Sequence, residues 1–313
     1  SIGICSPRVA ANPRSSSTGA RLRQPETGDG GSGTVTPKTA SQTPASSLPT
    51  DDLGFDIQRA VPWFSHDQEA PFVLVRVSDE NAKAWASALG IAVRRCYVSD
   101  EIIAERAAAA GVPKEEIIAA RLPDPGSTMA GDFGEILVYF YQAAKELPTP
   151  ALGPRKWRLK QDRTKPAPHS DVVHFVLPSW PTSSENDVLL CSEVKTKSTD
   201  GASKPIRSAI ADSAKDRTSR LARTLVWLRE RALLEPLGDV QLAHLERFIN
   251  ATEHPASQKR FRAVAVICNS LVDAELAEAP TEASPDYTVV VIAVPDLQKT
   301  YTSVFEAARK APG

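Results

Sequence analysis

Three residues in the middle of the chain, Asp171, Glu193 and Lys195, are of the types that divalent-cation chemistry on phosphates requires. Glu193 and Lys195 close the apolar run 187–195 (DVLLCSEVK), and alternate residues of a strand point the same way. Asp171 opens the run 170–177 (SDVVHFVL). If the two runs pair as a hairpin across 178–186, one register sets Asp171 opposite Glu193 on the same face, ~5 Å apart. A slip of one residue puts them on opposite faces. In the first register two carboxylates and an ammonium meet at one strand end. Such a pair of carboxylates binds a hard cation, Mg²⁺ or Mn²⁺. The ion activates water and offsets phosphate charge, while the ammonium orients the water or stabilises five-coordinate phosphorus. Without a cation the carboxylates repel, and one tends to take up a proton.

These groups need a sheet to hold them. Residues 72–77 (FVLVRV) predict a strand, Asp79 caps a helix to about Leu89, and 91–98 (IAVRRCYV) predict a second strand. Helices follow from Ser99 to Gly111 and from Pro113 to about Leu122, giving a small N-terminal α/β region over 51–130. From 131 onward the pattern predicts a helix over 135–146, then strands at 155–160, 170–177 and 187–195. A long helix from Pro205 to about Leu234 comes next, with another over 239–251. Strands at 262–268 and 287–294 and a helix from Leu297 to Arg309 complete a mixed sheet flanked by helices over 131–313. Residues 1–50, rich in Ser, Thr, Gly and Pro, predict a disordered tail.

Asp171, then Glu193-Val194-Lys195 on a neighbouring strand, with Glu135 on a preceding helix, resembles the PD-(D/E)xK nuclease superfamily, although Ser170 stands where proline is usual. More narrowly, Gly131-Asp132-Phe133-Gly134-Glu135-Ile136-Leu137, a Lys-rich segment, Asp171-Val172-Val173-His174 and Ser192-Glu193-Val194-Lys195 resemble HamA, the nuclease subunit of Hachiman anti-phage defence systems. Val173 replaces a common glycine, and Ser192 precedes the glutamate. The resemblance covers roughly residues 113–300. It implies a restriction-endonuclease-like fold and a Mg²⁺-dependent DNA nuclease. Asp171, Glu193 and the Val194 carbonyl would ligate the metal, Lys195 would act on water or phosphate, and Glu135 would be an outer carboxylate. It further implies control by a helicase partner of the superfamily 2 type (HamB-like). The alternatives are a restriction or repair nuclease of the same superfamily, or a DNA-binding scaffold with an inactive site.

Residues 155–165 (RKWRLKQDRTK) hold six basic residues and one acid. As a strand they would present Lys156, Arg158 and Lys160 on one face, over inward Trp157 and Leu159, as a cationic ridge for phosphates. The helix from 205 carries Arg207, Lys215, Arg217, Arg220 and Arg223, expected to lie largely outside an apolar stripe. His174 should point away from Asp171 into the interior, and His169 lies where it could approach phosphate. His66, His244 and His254 have no partners at metal-ligand spacing. Cys5, Cys96, Cys191 and Cys268 form no C-x-x-C pair, which argues against a zinc cage or disulfide framework and suits a reducing cytoplasm. Cys191 reads as a core thiol beside Glu193.

Composition sets the remaining bounds. The 37 basic and 38 acidic residues leave a net charge of −1, so nucleic acid must be held by a local patch. A hydrophobic fraction of 42% over 313 residues supports a real core. No stretch reaches the ~20 apolar residues of a membrane helix, and the N-terminus is too polar for a signal-peptide core.

Overall fold

The computed structural model describes residues 52–313; the expected tail over 1–50 lies outside them. In chain order the elements are β1 (Ser65–Gln68), β2 (Val73–Arg76), α1 (Asp79–Tyr97), α2 (Asp100–Ala110), α3 (Lys114–Arg121) and α4 (Ser127–Lys145). Then come β3 (Ala151–Leu152), β4 (Val172–Val176), β5 (Val188–Lys197), α5 (Pro205–Lys215), α6 (Leu221–Ala232) and α7 (Leu242–Ile249). The last four are β6 (Gln258–Cys268), α8 (Asn269–Glu275), β7 (Thr288–Val294) and α9 (Leu297–Lys310). Seven strands form one mixed sheet in the order β1-β2-β7-β6-β5-β4-β3. The central pairs β2–β7, β7–β6 and β6–β5 are parallel, while the pairs at both edges are antiparallel. The α/β class and the helix-flanked mixed sheet agree with the sequence expectation.

Apolar side chains fill both faces, as parallel strands require. Val172, Val194, Val264, Val266, Val290 and Ile292 pack with α1, α4 and α9. On the opposite face Val173, Phe175, Leu189 and Cys191 pack with α6 and α7, and Ala263, Ala265 and Ile267 pack with α5 and α8. Cys191 is a buried core thiol.

Three predicted elements differ. Residues 91–98 continue α1 instead of forming a strand. Ser78 accepts a hydrogen bond from Asn81 N–H and is the N-cap, with Asp79 the first helical residue. Trp85, Leu89, Ala92, Val93 and Cys96 recur at helical spacing and are buried. The 155–160 segment is a 3₁₀ turn, Lys156–Leu159, and not a strand. The helix expected from 135 starts at Ser127, which places Glu135 within it rather than in its first turn. The sheet also runs unbroken across position 131: β2 pairs with β7, and residue 131 lies inside α4.

Candidate active site

The hairpin takes the register that unites the carboxylates. Val172 pairs with Ser192, so Asp171, one step before β4, lies opposite Glu193. Val194 N–H donates to Asp171 Oδ2 at 2.8 Å. This turns Val194, and with it Ser192, toward β4, so Asp171 and Glu193 occupy a non-hydrogen-bonded position, where facing side chains approach closest. The Val194 carbonyl shares the edge of its N–H and opens past the end of β4.

Glu193 is 2% exposed. Its Oε1 accepts from Lys195 Nζ at 2.7 Å, and its Oε2 accepts from Arg220. Burial, then the charge of Asp171, raises the Glu193 pKa to about 7. Lys195 also pairs with Asp212 at 2.8 Å, and a third of its side chain stays exposed to the cavity. Burial works against its charge, yet hydrogen bonds to Asp212 and Glu193 hold the ammonium above its ordinary value. The same bonds, from Lys195 and Lys215, lower Asp212 to about 2.

Glu135 comes from α4, on the other face of the sheet, and reaches the same cavity around the end of β4. It accepts from Trp157 Nε1 at 3.1 Å and pairs with Lys156 at 3.1 Å. Burial is the main cause that lifts its pKa to about 8; Lys156 opposes the shift, and Asp171 and Asp132 add to it. The cavity, of about 660 Å³, is lined by Glu135, His169, Asp171, Glu193, Lys195 and Arg220 among others.

The cationic ridge does not exist. Lys156 and Lys160 are buried, Lys156 on Glu135 and Lys160 on Asp132 at 2.7 Å, so the two lysines neutralise two buried acids one turn apart on α4. Arg158 pairs with Asp52 at 2.7 Å and donates to Arg95 O. Trp157 and Leu159 do point inward. A strand would have splayed these cations outward; the 3₁₀ turn folds them under α4.

Arg220, expected outside, points in. Asp212, Asp216 and Arg220 recur every four residues on the helical run from Pro205, and a π-helical turn over Asp216–Arg220 joins α5 to α6. Arg220 donates to both Asp216 carboxylate oxygens at 2.7 Å. Ser170 Oγ donates to Asp216 at 2.7 Å and its N–H to Thr224 Oγ1, tying the entry of β4 to this turn. The i, i+4, i+8 spacing was the available signal for this inward face.

The donor set suits a hard divalent ion. Asp171, Glu193 and the Val194 carbonyl offer oxygens only, and a cation would offset what raises the Glu193 pKa, burial first and then the charge of Asp171. Among the described residues no three His, Cys, Asp or Glu side chains form a metal cage, so water or substrate would complete the shell. An ion on Glu193 would share or displace Arg220.

The HamA family model matches residues 59–308. This chain belongs to the HamA family. HamA is a subunit of Hachiman anti-phage defence, and the chain is a subunit of that kind. The matched span starts before β1 and ends in α9, so the HamA unit includes all seven strands and the N-terminal elements. No curated protein matches the chain. Among the described residues no helix is long and apolar enough to cross a membrane.

Proposed function

We propose that this HamA-family protein is a Mg²⁺-dependent deoxyribonuclease of the PD-(D/E)xK type, the effector of a Hachiman complex under the control of a helicase subunit. The observation that carries it is Asp171 opposite Glu193, with Lys195 bonded to Glu193, all lining one open cavity. Asp171, Glu193 and the Val194 carbonyl would hold the metal, which when bound supplies an activated water and charge neutralisation at phosphate. Lys195 is kept cationic by Glu193 and Asp212 and is partly exposed, as a donor to an attacking water or a phosphate oxygen must be. Glu135 holds a proton at its carboxylate more readily than an ordinary glutamate and lines the same cavity. The helicase partner rests on the family resemblance; the sequence carries no evident switch of its own.

One observation favours a second reading. Both oxygens of Glu193 are taken by Lys195 and Arg220, as in a structural ion cluster. That suits an inactive, DNA-binding scaffold. Cleavage of supercoiled plasmid and linear DNA with Mg²⁺ or Mn²⁺, with and without the helicase subunit, separates the two. We expect wild-type cleavage in at least one of these states, with Glu193→Gln and Lys195→Ala at least 100-fold slower. Cleavage by both variants at the wild-type rate, or DNA binding without cleavage in every state, would refute the nuclease.

A further inference from the structure

The segment expected as a cationic ridge is folded inward onto Glu135, Asp132 and Asp52, and a different group of cationic and aromatic side chains adjoins the cavity. His169 is two residues before Asp171 and lines the same cavity. Its backbone is left-handed, φ 72°, a conformation that costs a non-glycine residue ~1 kcal/mol and here is retained at the cavity rim. Its ring sits 4.9 Å from that of Trp227, and among the described residues neither ring nitrogen is hydrogen-bonded. Trp227, half-buried on α6, lines a small cleft together with Asp171 and Lys156. The Arg231 guanidinium lies over the same indole at 5.9 Å. One turn before Trp227, Arg223 is exposed, donates to Ser219 Oγ at 3.0 Å and forms no ion pair among the described residues. Between them, Thr224 bonds Ser170, so this face of α6 is fixed to the start of β4.

Arg223, Trp227 and Arg231 stand at i, i+4 and i+8 on one helix face, spanning ~12 Å. A guanidinium without an ion pair beside a half-buried indole and an unbonded imidazole is a combination that holds a phosphate while a base stacks. Its sequence tolerance comes from stacking, and stacking requires unpaired bases, so the feature favours a single strand over a duplex.

We propose that His169, Arg223, Trp227 and Arg231 form a track that carries one unpaired nucleic-acid strand to the Asp171–Glu193 cavity. The inference rests on that cavity being a phosphodiester site, but its test does not.

The test is fluorescence anisotropy with the full chain in EDTA, using a 5′-labelled 20-mer of thymidylate and a 20-base-pair duplex over a salt series. Trp227→Ala and Arg223→Gln are each expected to weaken 20-mer binding about tenfold, with Trp227→Phe near wild type. Arg223→Gln should also lower the slope of log affinity against log salt by about 0.7. Duplex binding should fall less in every variant. Arg223 is exposed, so its variant keeps the test valid if Trp227→Ala does not fold. Absence of wild-type 20-mer binding, unchanged affinity in folded Arg223→Gln, or equal losses on 20-mer and duplex would overturn the track. So would variants that bind the 20-mer normally but no longer co-purify with the helicase subunit, because Val226, Leu233 and Leu234 also lie exposed at this end of α6. Selective loss of 20-mer binding supports the track whether or not the chain cleaves DNA; failure of cleavage alone sinks only the nuclease.

Discussion

His174 is held neutral by its surroundings. It is fully buried on β4, with Nδ1 3.0 Å from Gln142 Nε2 and its ring 4.4 Å from Tyr139. Gln142 accepts from Ser192 and Arg262 through Oε1, so its amide donates to Nδ1 and the imidazole proton sits on Nε2, which has no partner. Burial, then Arg155 and Arg262, lowers the pKa to about 3. A depressed histidine gives stability that is complete above the unfolded pKa, ~6.5, and is lost as pH falls toward the folded value. Urea unfolding from pH 7 to pH 4 should therefore show wild type losing about 3 kcal/mol more than His174→Asn, which keeps an acceptor but cannot titrate. Equal pH slopes in the two proteins would contradict a buried neutral imidazole. Glu135 and Glu193 act with the opposite sign. Their raised values favour the folded state below ~4.5, and this is lost as pH rises through about 7 to 8. The difference between wild type and His174→Asn removes that background. The orientation of His174 was legible in the sequence because three positions along a strand reverse the face. The partners that keep it neutral were not, because Gln142 and Arg262 come from α4 and β6.

Helix α4 carries Glu135, and its distance from β5 is set by the residue just before. A methyl group on Gly134 would lie 2.1 Å from Thr196 Oγ1 and 3.4 Å from Val194 Cγ1. Thr196 is β-branched and restricted at χ1, so relief has to come in part from backbone movement. Gly134→Ala is thus expected to cost about 1–3 kcal/mol in chemical denaturation, despite alanine's better helix propensity. A stabilised Gly134→Ala would show that the helix has slack over β5. The Gly-Glu pairing within GEIL was visible as a motif; its reason, a close helix–strand approach, needed the structure. Other elements show why local pattern runs out. Residues 91–98 satisfy both alternation and helical spacing, and α9 decides between them: Gly90 packs so closely on α9 that a methyl group there would lie 3.1 Å from Ala307 Cβ. The lysines of 155–160 read as surface charge because each of their acids, Asp132 and Glu135, lies more than 20 residues earlier. Arg220 shares a helical row with Asp212 and Asp216, but its inward turn onto Glu193, 27 residues earlier, is a long-range pairing that local pattern does not contain.

At the scale of the molecule, the sheet binds the N-terminal elements to the candidate site. Sequence separated residues 51–130 from 131–313, since no chemistry-bearing group marks the first segment. Yet β2 covers the β7 edge, pairing Val73 through Arg76 with Val290 through Ala293. Helix α1 covers α9, where Trp85, Tyr97, Phe133, Tyr301 and Phe305 share one aromatic and aliphatic cluster. Tyr97 also donates to Asp132 at 2.6 Å, beside Lys160, one turn from Glu135. Removing 52–130 would expose a long apolar strand edge and the inner face of α9, and would leave Asp132 with one donor fewer in a buried place. We therefore expect a 131–313 fragment to lack a cooperative thermal transition by circular dichroism and to aggregate, whereas 52–313 melts as one unit. A monomeric fragment with its own sharp transition would show that the seven-stranded sheet is divisible at α4 and that the Asp171–Glu193 pair can be held without its N-terminal neighbours.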